Sequence, residues 1–506
     1  MLKKLTIKYI AALLVSLPCS FAFAEKKTTV ILEHSETLSF DKASGREFQV
    51  LRGNVRFRHE NALMYCDSAY FYDGQNSFDA FGHVRVVQGD SLSMTAHKMF
   101  YDGNTKIMRV RGNVVLDNKT MQLYTEQLDY YRIGDYGYFF DGGKLVDPNF
   151  EIVSKFGYYY TNLKVSTFKT DVVLTNPDFI IKSDTLSSNS ATNIATLVGP
   201  SHVYYGDNYT VYTTDARMNT VTNSGQLYNY SVITSNDGKR ITADSIHFDK
   251  AAGIAKAFHN VDVQDSARSV SMKGNYAICH QTPQSAMVTD SAYIMEFSGK
   301  DTLFLHADSL FYTAFDSVNK VMSAYHNVRF FRKDMQGKCD SLNYVTKDSL
   351  INMYVAPVLW ANQSQMTGDS IKLYMNGTNP DWFHIIGNAL ICQREDKENF
   401  SQLAGKESKG YMKDNDLRQV DMLGNAISVY FPKDDNGNLV GINKAEGSMM
   451  SIFMMNKKLE KIKMTPDSQG VMYPPFEAPE EELFLKGFTW QESIRPKKMK
   501  DIFLKY

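Results

Sequence analysis

Beyond its first 24 residues this chain contains no apolar run of about 18 residues, so no helical membrane span is expected. It has no basic stripe. Without Lys3, Lys4 and Lys8 the acidic residues outnumber the basic ones by four, which argues against nucleic acid as a partner, because phosphate binding needs clustered Lys and Arg. It has no Cys-x-x-Cys pair, and with it goes the usual zinc or redox signature. It lacks convincing amphipathic helical periodicity between residues 26 and 455. Gly-Gly-x-Gly-x-Asp repeats are missing, which argues against a calcium-loaded β-helix. No convergent set of carboxylates, histidines or nucleophiles marks a catalytic cleft. No metal site and no cofactor are therefore expected, and the chain reads as a non-enzyme.

What is present is repetition. A small residue followed by Asp-Ser opens an apolar-aromatic strand in Tyr65-Cys66-Asp67-Ser68 and again in Thr242-Ala243-Asp244-Ser245. It returns in His306-Ala307-Asp308-Ser309, Lys338-Cys339-Asp340-Ser341 and Thr367-Gly368-Asp369-Ser370, with weaker copies at His97, Asp184 and Asp215. The steps from Asp184 to Asp215 to Asp244 are 31 and 29 residues, and those from Asp308 to Asp340 to Asp369 are 32 and 29. A fixed period of about 30 residues means stacked supersecondary units, and such a chain grows by adding units rather than domains.

A second phrase interleaves with the first: Gly53-Asn54-Val55, Gly82-His83-Val84, Gly112-Asn113-Val114, His259-Asn260-Val261, His326-Asn327-Val328, Gly387-Asn388-Ala389 and Gly424-Asn425-Ala426. Gly, Asn and His tolerate positive φ, so each pair reads as a tight turn before a strand of period two. Asp73-Gly74, Asp102-Gly103 and Asp237-Gly238 sit at hairpin spacing. The expected fold is all-β: an elongated repetitive β-jelly-roll or solenoid, a twisted open sandwich built from repeats of about 30 residues. The recurring Asp residues then form a ladder that caps nearby backbone N–H groups. Cys66 and Cys339 occupy the same small-residue slot and should lie roughly 40 Å apart in a stack, too far for a disulfide.

Alternation places Val55, Phe57, Val84, Val86, Val114, Leu116, Val261, Val263, Val328 and Phe330 on one face as continuous apolar rows. They are the candidate binding surface, and a closed core is the alternative. Arg56, Arg85, Arg109, Arg111 and Arg329 lie on or beside the other face, where solvation is the plain expectation and phosphate contact the other. The histidines are mostly periodic and are not read as metal ligands.

The two ends differ from the repeat. Residues 1–24 carry a basic start, a short apolar run over 10–17 and Ala22-Phe23-Ala24 before Glu25, which reads as a secretory signal peptide. Leu17-Pro18-Cys19 faintly resembles a lipoprotein processing site, although Pro before the Cys fits poorly. The repetitive region is assigned to 25–455, as one or more consecutive modules, and 456–506 to a tail. That tail is Pro-rich and acidic at first, then aromatic and basic, and either docks on the body or stays partly ordered.

The signal peptide, the small-Asp-Ser strand followed by Tyr72-Asp73, and the Gly-Asn-Val strand some 15 residues later together resemble the organic solvent tolerance protein A-like (OstA-like) family. So do Ile241-Thr242-Ala243-Asp244-Ser245 with Val261, and Gly441-Ile442-Asn443-Lys444-Ala445-Glu446-Gly447-Ser448. The resemblance covers roughly 30–455, in a long form that lacks a C-terminal membrane barrel. It implies a periplasmic, possibly outer-membrane-associated protein that carries the acyl chains of lipopolysaccharide, or of a related glycolipid, in an apolar groove. It also implies strand addition to transport proteins of the same fold, or head-to-tail self-association, at exposed sheet edges. Two other readings stay open: a carbohydrate-active β-helix enzyme and a structural surface or assembly protein.

Overall fold

The computed structural model describes residues 28–504 apart from 41–44, 46, 91, 207, 317, 378, 414–415, 435, 456–457 and 476. The expected signal peptide lies outside the described residues. The chain divides into two compact units, Met1–Asp141 and Gly142–Tyr506. Among the described residues, regular structure consists of β-strands and five short 3-10 turns, with no α-helix.

In the first unit, strands Gln49–His59, Ala62–Tyr72, Ser77–Gln88, Leu92–Asp102, Ile107–Asp117 and Gln122–Tyr131 pair antiparallel in chain order. Asp73-Gly74 and Asp102-Gly103 do sit at hairpin ends. The Gly-Asn pairs do not. Gly53-Asn54, Gly82-His83 and Gly112-Asn113 fall inside single strands, with both residues of each pair at positive φ. A turn is expected there from sequence, and the structure has a bulge. Two consecutive left-handed residues shift the register and bend the strand without ending it.

The two recurring phrases meet at this bulge. The carboxylate of Asp67 pairs with His83 Nδ1 at 2.7 Å. In the second unit Asp244 accepts from the Asn260 side chain at 2.8 Å, Asp308 from Asn327 at 2.7 Å and Asp369 from Asn388 at 3.0 Å. The backbone N–H groups of Asp244, Asp308 and Asp369 donate to carbonyls of the facing bulge. The Asp ladder is therefore a row of bulge clamps. At Gly387 the demand for glycine is steric as well as conformational: φ is +70° and a Cβ would sit 2.1 Å from Asp369 Oδ2, whereas His259 and His326 take the same place in the clamps of Asp244 and Asp308.

Each bend sends the two halves of a strand into two facing walls. In the first unit one wall carries Phe57, Met64, Val86, Met94, Leu116 and Leu123 on successive strands, and the other carries Leu51, Ala69, Ala80, Met99, Val110 and Leu128. Phe57 stacks on Phe78 at 4.0 Å and meets Phe71 at 5.3 Å. This is a sealed jelly-roll core.

The second unit opens with an antiparallel meander of long bent strands over Phe150–Tyr160, Val165–Thr175, Ile180–Asn189, Ile194–Tyr205 and Tyr209–Asn219. Between about 224 and 376 many strands break at the corner into separate halves, such as Ser224–Tyr228 with Ser231–Ser235, and Gln284–Thr289 with Tyr293–Glu296. Long strands resume with Asn379–Arg394. Strand pairing runs on through Lys458–Thr465 and Gln469–Tyr473, both paired to Ile442–Met455.

After Tyr473 the chain becomes a strap across the outside of one wall. Its Leu485 completes a cluster with Leu390, Cys392, Val429, Phe431 and Ile442, against which Leu483, Phe488 and Trp490 also pack. Three buried glutamines hold it, two by its backbone and one by a side chain. Gln402 donates to Leu483 O and accepts from Leu485 N, both at 2.8 Å. Gln365 donates to Thr489 O and accepts from Gln491 N, again at 2.8 Å. Gln336 accepts from Arg495 Nε at 2.8 Å. The strap ends with Phe503 against Tyr293 and His306.

Candidate functional site

Where the strands break, the walls of the second unit part around a cavity of about 1090 Å³. That is just above the range of about 300–1,000 Å³ typical of small-molecule sites. Directly opposed residues on neighbouring antiparallel strands share a face, so the lining can be read from the register. One wall presents Val211, Ile233, Ile241, Val263, Met272, Ile294, Leu305 and Phe330 in an unbroken row. The other presents Phe248, Ala255, Cys279, Ala286, Tyr312, Met322, Tyr344, Ile351 and Leu373. All of these line the cavity.

Charges gather at the rim. Lys239 pairs with Asp237, and Arg332 with Asp334 at 2.6 Å. Lys250 stands over the Tyr205 ring at 4.7 Å. Glu296 accepts from the Ser298 backbone N–H at 2.9 Å. Burial, with the Glu296 charge adding to it, pushes the Tyr344 phenol above its ordinary range. Burial alone pushes the Cys279 thiol up to about 12, so this cysteine lines the cavity as a neutral group.

The ten residues expected from sequence divide sharply. Val55, Phe57, Val84, Val86, Val114 and Leu116 are 0–3% exposed in the packed core of the first unit. Val261 and Val328 are buried beside the bulges of the second unit. Val263 and Phe330 line the cavity. Sequence reasoning missed Met272, Ile294, Leu305, Tyr312 and Met322. Their alternation matches that of the sealed rows, and the only signal separating them is a longer-range one, the stretch of broken strands.

The outer arginines also divide. Arg56 pairs with Glu33 at 3.0 Å and Arg111 with Asp129 at 2.8 Å, while Arg329 is buried rather than solvated. The strap lies on the side away from the cavity. Phe330 faces inward, and its neighbour Phe331 opposes Gln336, one of the three strap-holding glutamines. Cys66, Cys279, Cys339 and Cys392 are free, and Cys66 and Cys339 are buried in the small-residue slot. No group of three or more His, Cys, Asp or Glu among the described residues could hold a metal.

The model of the OstA-like protein family matches residues 27–184. That stretch of the chain is OstA-like. The cavity lies beyond it, in a continuation of the same bent-strand repeat. No curated protein matches the chain. Among solved structures, a match is the crystal structure of LptH, the LptA homologous periplasmic component of the conserved lipopolysaccharide transport device from Pseudomonas aeruginosa. It is 17% identical, covers 24% of this chain and 84% of that one, and superposes with a TM-score of 0.21.

Proposed function

We propose that this chain is a periplasmic, non-enzymatic carrier that holds acyl chains of lipopolysaccharide, or of a related glycolipid, in the cavity of its second unit. The observation that carries the reading is the pair of continuous apolar rows around about 1090 Å³ of space. Burying a methylene is worth about 0.8 kcal/mol, so a chain of about 12 methylenes has roughly 10 kcal/mol of gross transfer energy available. The OstA-like region supports lipopolysaccharide as the cargo and outer-membrane biogenesis as the process. Of the residues singled out in the sequence, Val263 and Phe330 act in this reading as groove residues. The other eight form the packed body.

Delivery requires partners, and exposed sheet edges support strand addition to proteins of the same fold or to another copy. In the first unit, among the described residues, Ile31–His34 and Thr37–Ser39 pair on one side only, with Gln49–His59, and Ile31 and Leu38 are exposed. In the second unit Gln469–Tyr473 pairs with Ile442–Met455, with Val471 and Met472 exposed.

The test is equilibrium binding of purified lipopolysaccharide to the mature protein and to variants that fill the cavity, Met272→Trp and Met322→Trp. The expected result is saturable binding by the parent and a loss of about tenfold or more in the variants. Equal binding by parent and filled variants, or no binding by the parent, overturns the reading.

A further inference from the structure

One lining residue does not fit an apolar carrier. Lys320 begins the strand Lys320–Arg332, two and four residues before Met322 and Ala324, and so shares their inward face. It lines the cavity and is only 7% exposed. The other cations of the lining have company: Lys239 has Asp237, Arg332 has Asp334, Lys250 has the Tyr205 ring and Arg240 has the Tyr230 hydroxyl at 3.4 Å. Among the described residues no carboxylate lies within 4.0 Å of Lys320 Nζ. The bonds that fix Lys320 are made by its backbone, whose N–H donates to Thr346 Oγ1 at 3.0 Å and whose C=O accepts from Thr346 N at 3.0 Å.

The Lys320 side chain is largely covered, its Nζ is not among the buried polar atoms, and the ammonium stands in the cavity lining with no anion beside it among the described residues, a setting in which lysine ordinarily has a partner. Of the carboxylates lining the cavity, Asp237 pairs with Lys239, Asp249 accepts from the Ala252 N–H and Glu296 accepts from Ser298, and neither these nor Asp265 forms an ion pair with Lys320. We propose that Lys320 is the anchor for the anionic head of an acylated lipid whose chains lie along the apolar rows. This rests on the carrier reading above and sharpens it. The cargo is an amphiphile with a phosphate or carboxylate next to its acyl chains, and Lys320 fixes which end of it stays at the rim. A compact ammonium with three donors suits a tetrahedral phosphate as a point charge.

The experiment measures binding of phosphorylated lipid A, dephosphorylated lipid A and inorganic phosphate to the full mature chain, its Lys320→Met variant and its Lys320→Arg variant. Loss of one charge-assisted contact should weaken phosphorylated lipid A roughly 10- to 100-fold in Lys320→Met. Dephosphorylated lipid A should bind both proteins equally, and Lys320→Arg should restore most of the affinity. The lipid-free Lys320→Met protein should melt within a few degrees of the parent, which separates a folded variant from a damaged one. Equal loss for both lipids, or no loss for either, overturns the anchor while leaving the carrier reading intact. Failure of the parent to bind either lipid overturns the carrier reading itself. Displacement of phosphorylated lipid A by millimolar inorganic phosphate would assign the site to a free anion, and the lipid-head proposal would fall.

Discussion

Replacing Gln402 by Leu should peel the strap from the sheet without unfolding the body. The Gln402 amide donates to Leu483 O and accepts from Leu485 N, each at 2.8 Å, and the residue is 3% exposed. Leucine keeps most of the volume but orphans both strap groups. Each buried orphan costs about 1–3 kcal/mol, so the docked state loses about 2–6 kcal/mol relative to a lifted state in which water satisfies both groups. The lower figure corresponds to about 30-fold in the opening equilibrium. Gln365 and Gln336 would still hold residues 489–495. Hydrogen exchange of peptides spanning 483–488 should therefore speed up about 30-fold or more. The informative amide is Phe488 N, whose own acceptor, Leu485 O, is untouched by the substitution. Peptides over 489–495 should respond strongly only in the double variant with Gln365→Leu. Exchange of 483–488 at the parent rate would refute the idea that glutamine side chains hold the strap.

Three further outcomes follow from named contacts. Gly387→Ala should cost a few kcal/mol in thermal unfolding, because it combines a left-handed φ with a 2.1 Å approach to Asp369. Adding Asp369→Ala should recover only part of the loss, since the φ penalty of about 1 kcal/mol remains. His59, which shares a 2.6 Å hydrogen bond with the Tyr101 hydroxyl, itself an acceptor from Arg132 at 2.8 Å, has its pKa lowered by burial and then by the adjacent Arg132 charge. Its folded pKa is below 6.5, so the unfolded chain takes up the proton first. The melting temperature of the parent should fall as pH drops through and below 6.5, and His59→Gln should flatten that slope. Cys279, a cavity-lining thiol held neutral by burial, should react slowly with an apolar maleimide in the lipid-free protein and not at all once lipopolysaccharide is bound. Equal labelling in both states would place the lipid elsewhere.

Much of the fold was legible because the repeat is local. The Asp-Ser and Gly-Asn phrases recur at a spacing that any stacked β-unit would keep, and their Gly, Asn and His residues announced positive φ. Period alone does not say whether a left-handed pair ends a strand or bends it, which is why Gly53-Asn54 read as a turn. That depends on the facing Asp or Glu, a contact about 16–19 residues away in the clamps of Asp67, Asp244, Asp308 and Asp369. The candidate groove was legible only as a pattern. Val86 and Val263 carry the same alternation, yet Val86 is sealed against the opposite wall and Val263 faces open space. The difference lies in how far the walls part, a property of many strands together. The strap was legible as a change in composition. Its seat was not, because Gln336, Gln365 and Gln402 look like ordinary polar strand residues until residues 483–495 cover them.

The central claim is that the second unit's cavity, and not the first unit's packed core, holds the acyl chains. Photo-crosslinking residues placed at Leu305, Met322 or Phe330, and separately at Phe57 or Leu116, test it in cells that make lipopolysaccharide. The account expects lipopolysaccharide adducts from the three cavity positions and none from Phe57 or Leu116. Adducts confined to Phe57 and Leu116, or to the outward Arg56 and Arg85, would contradict it.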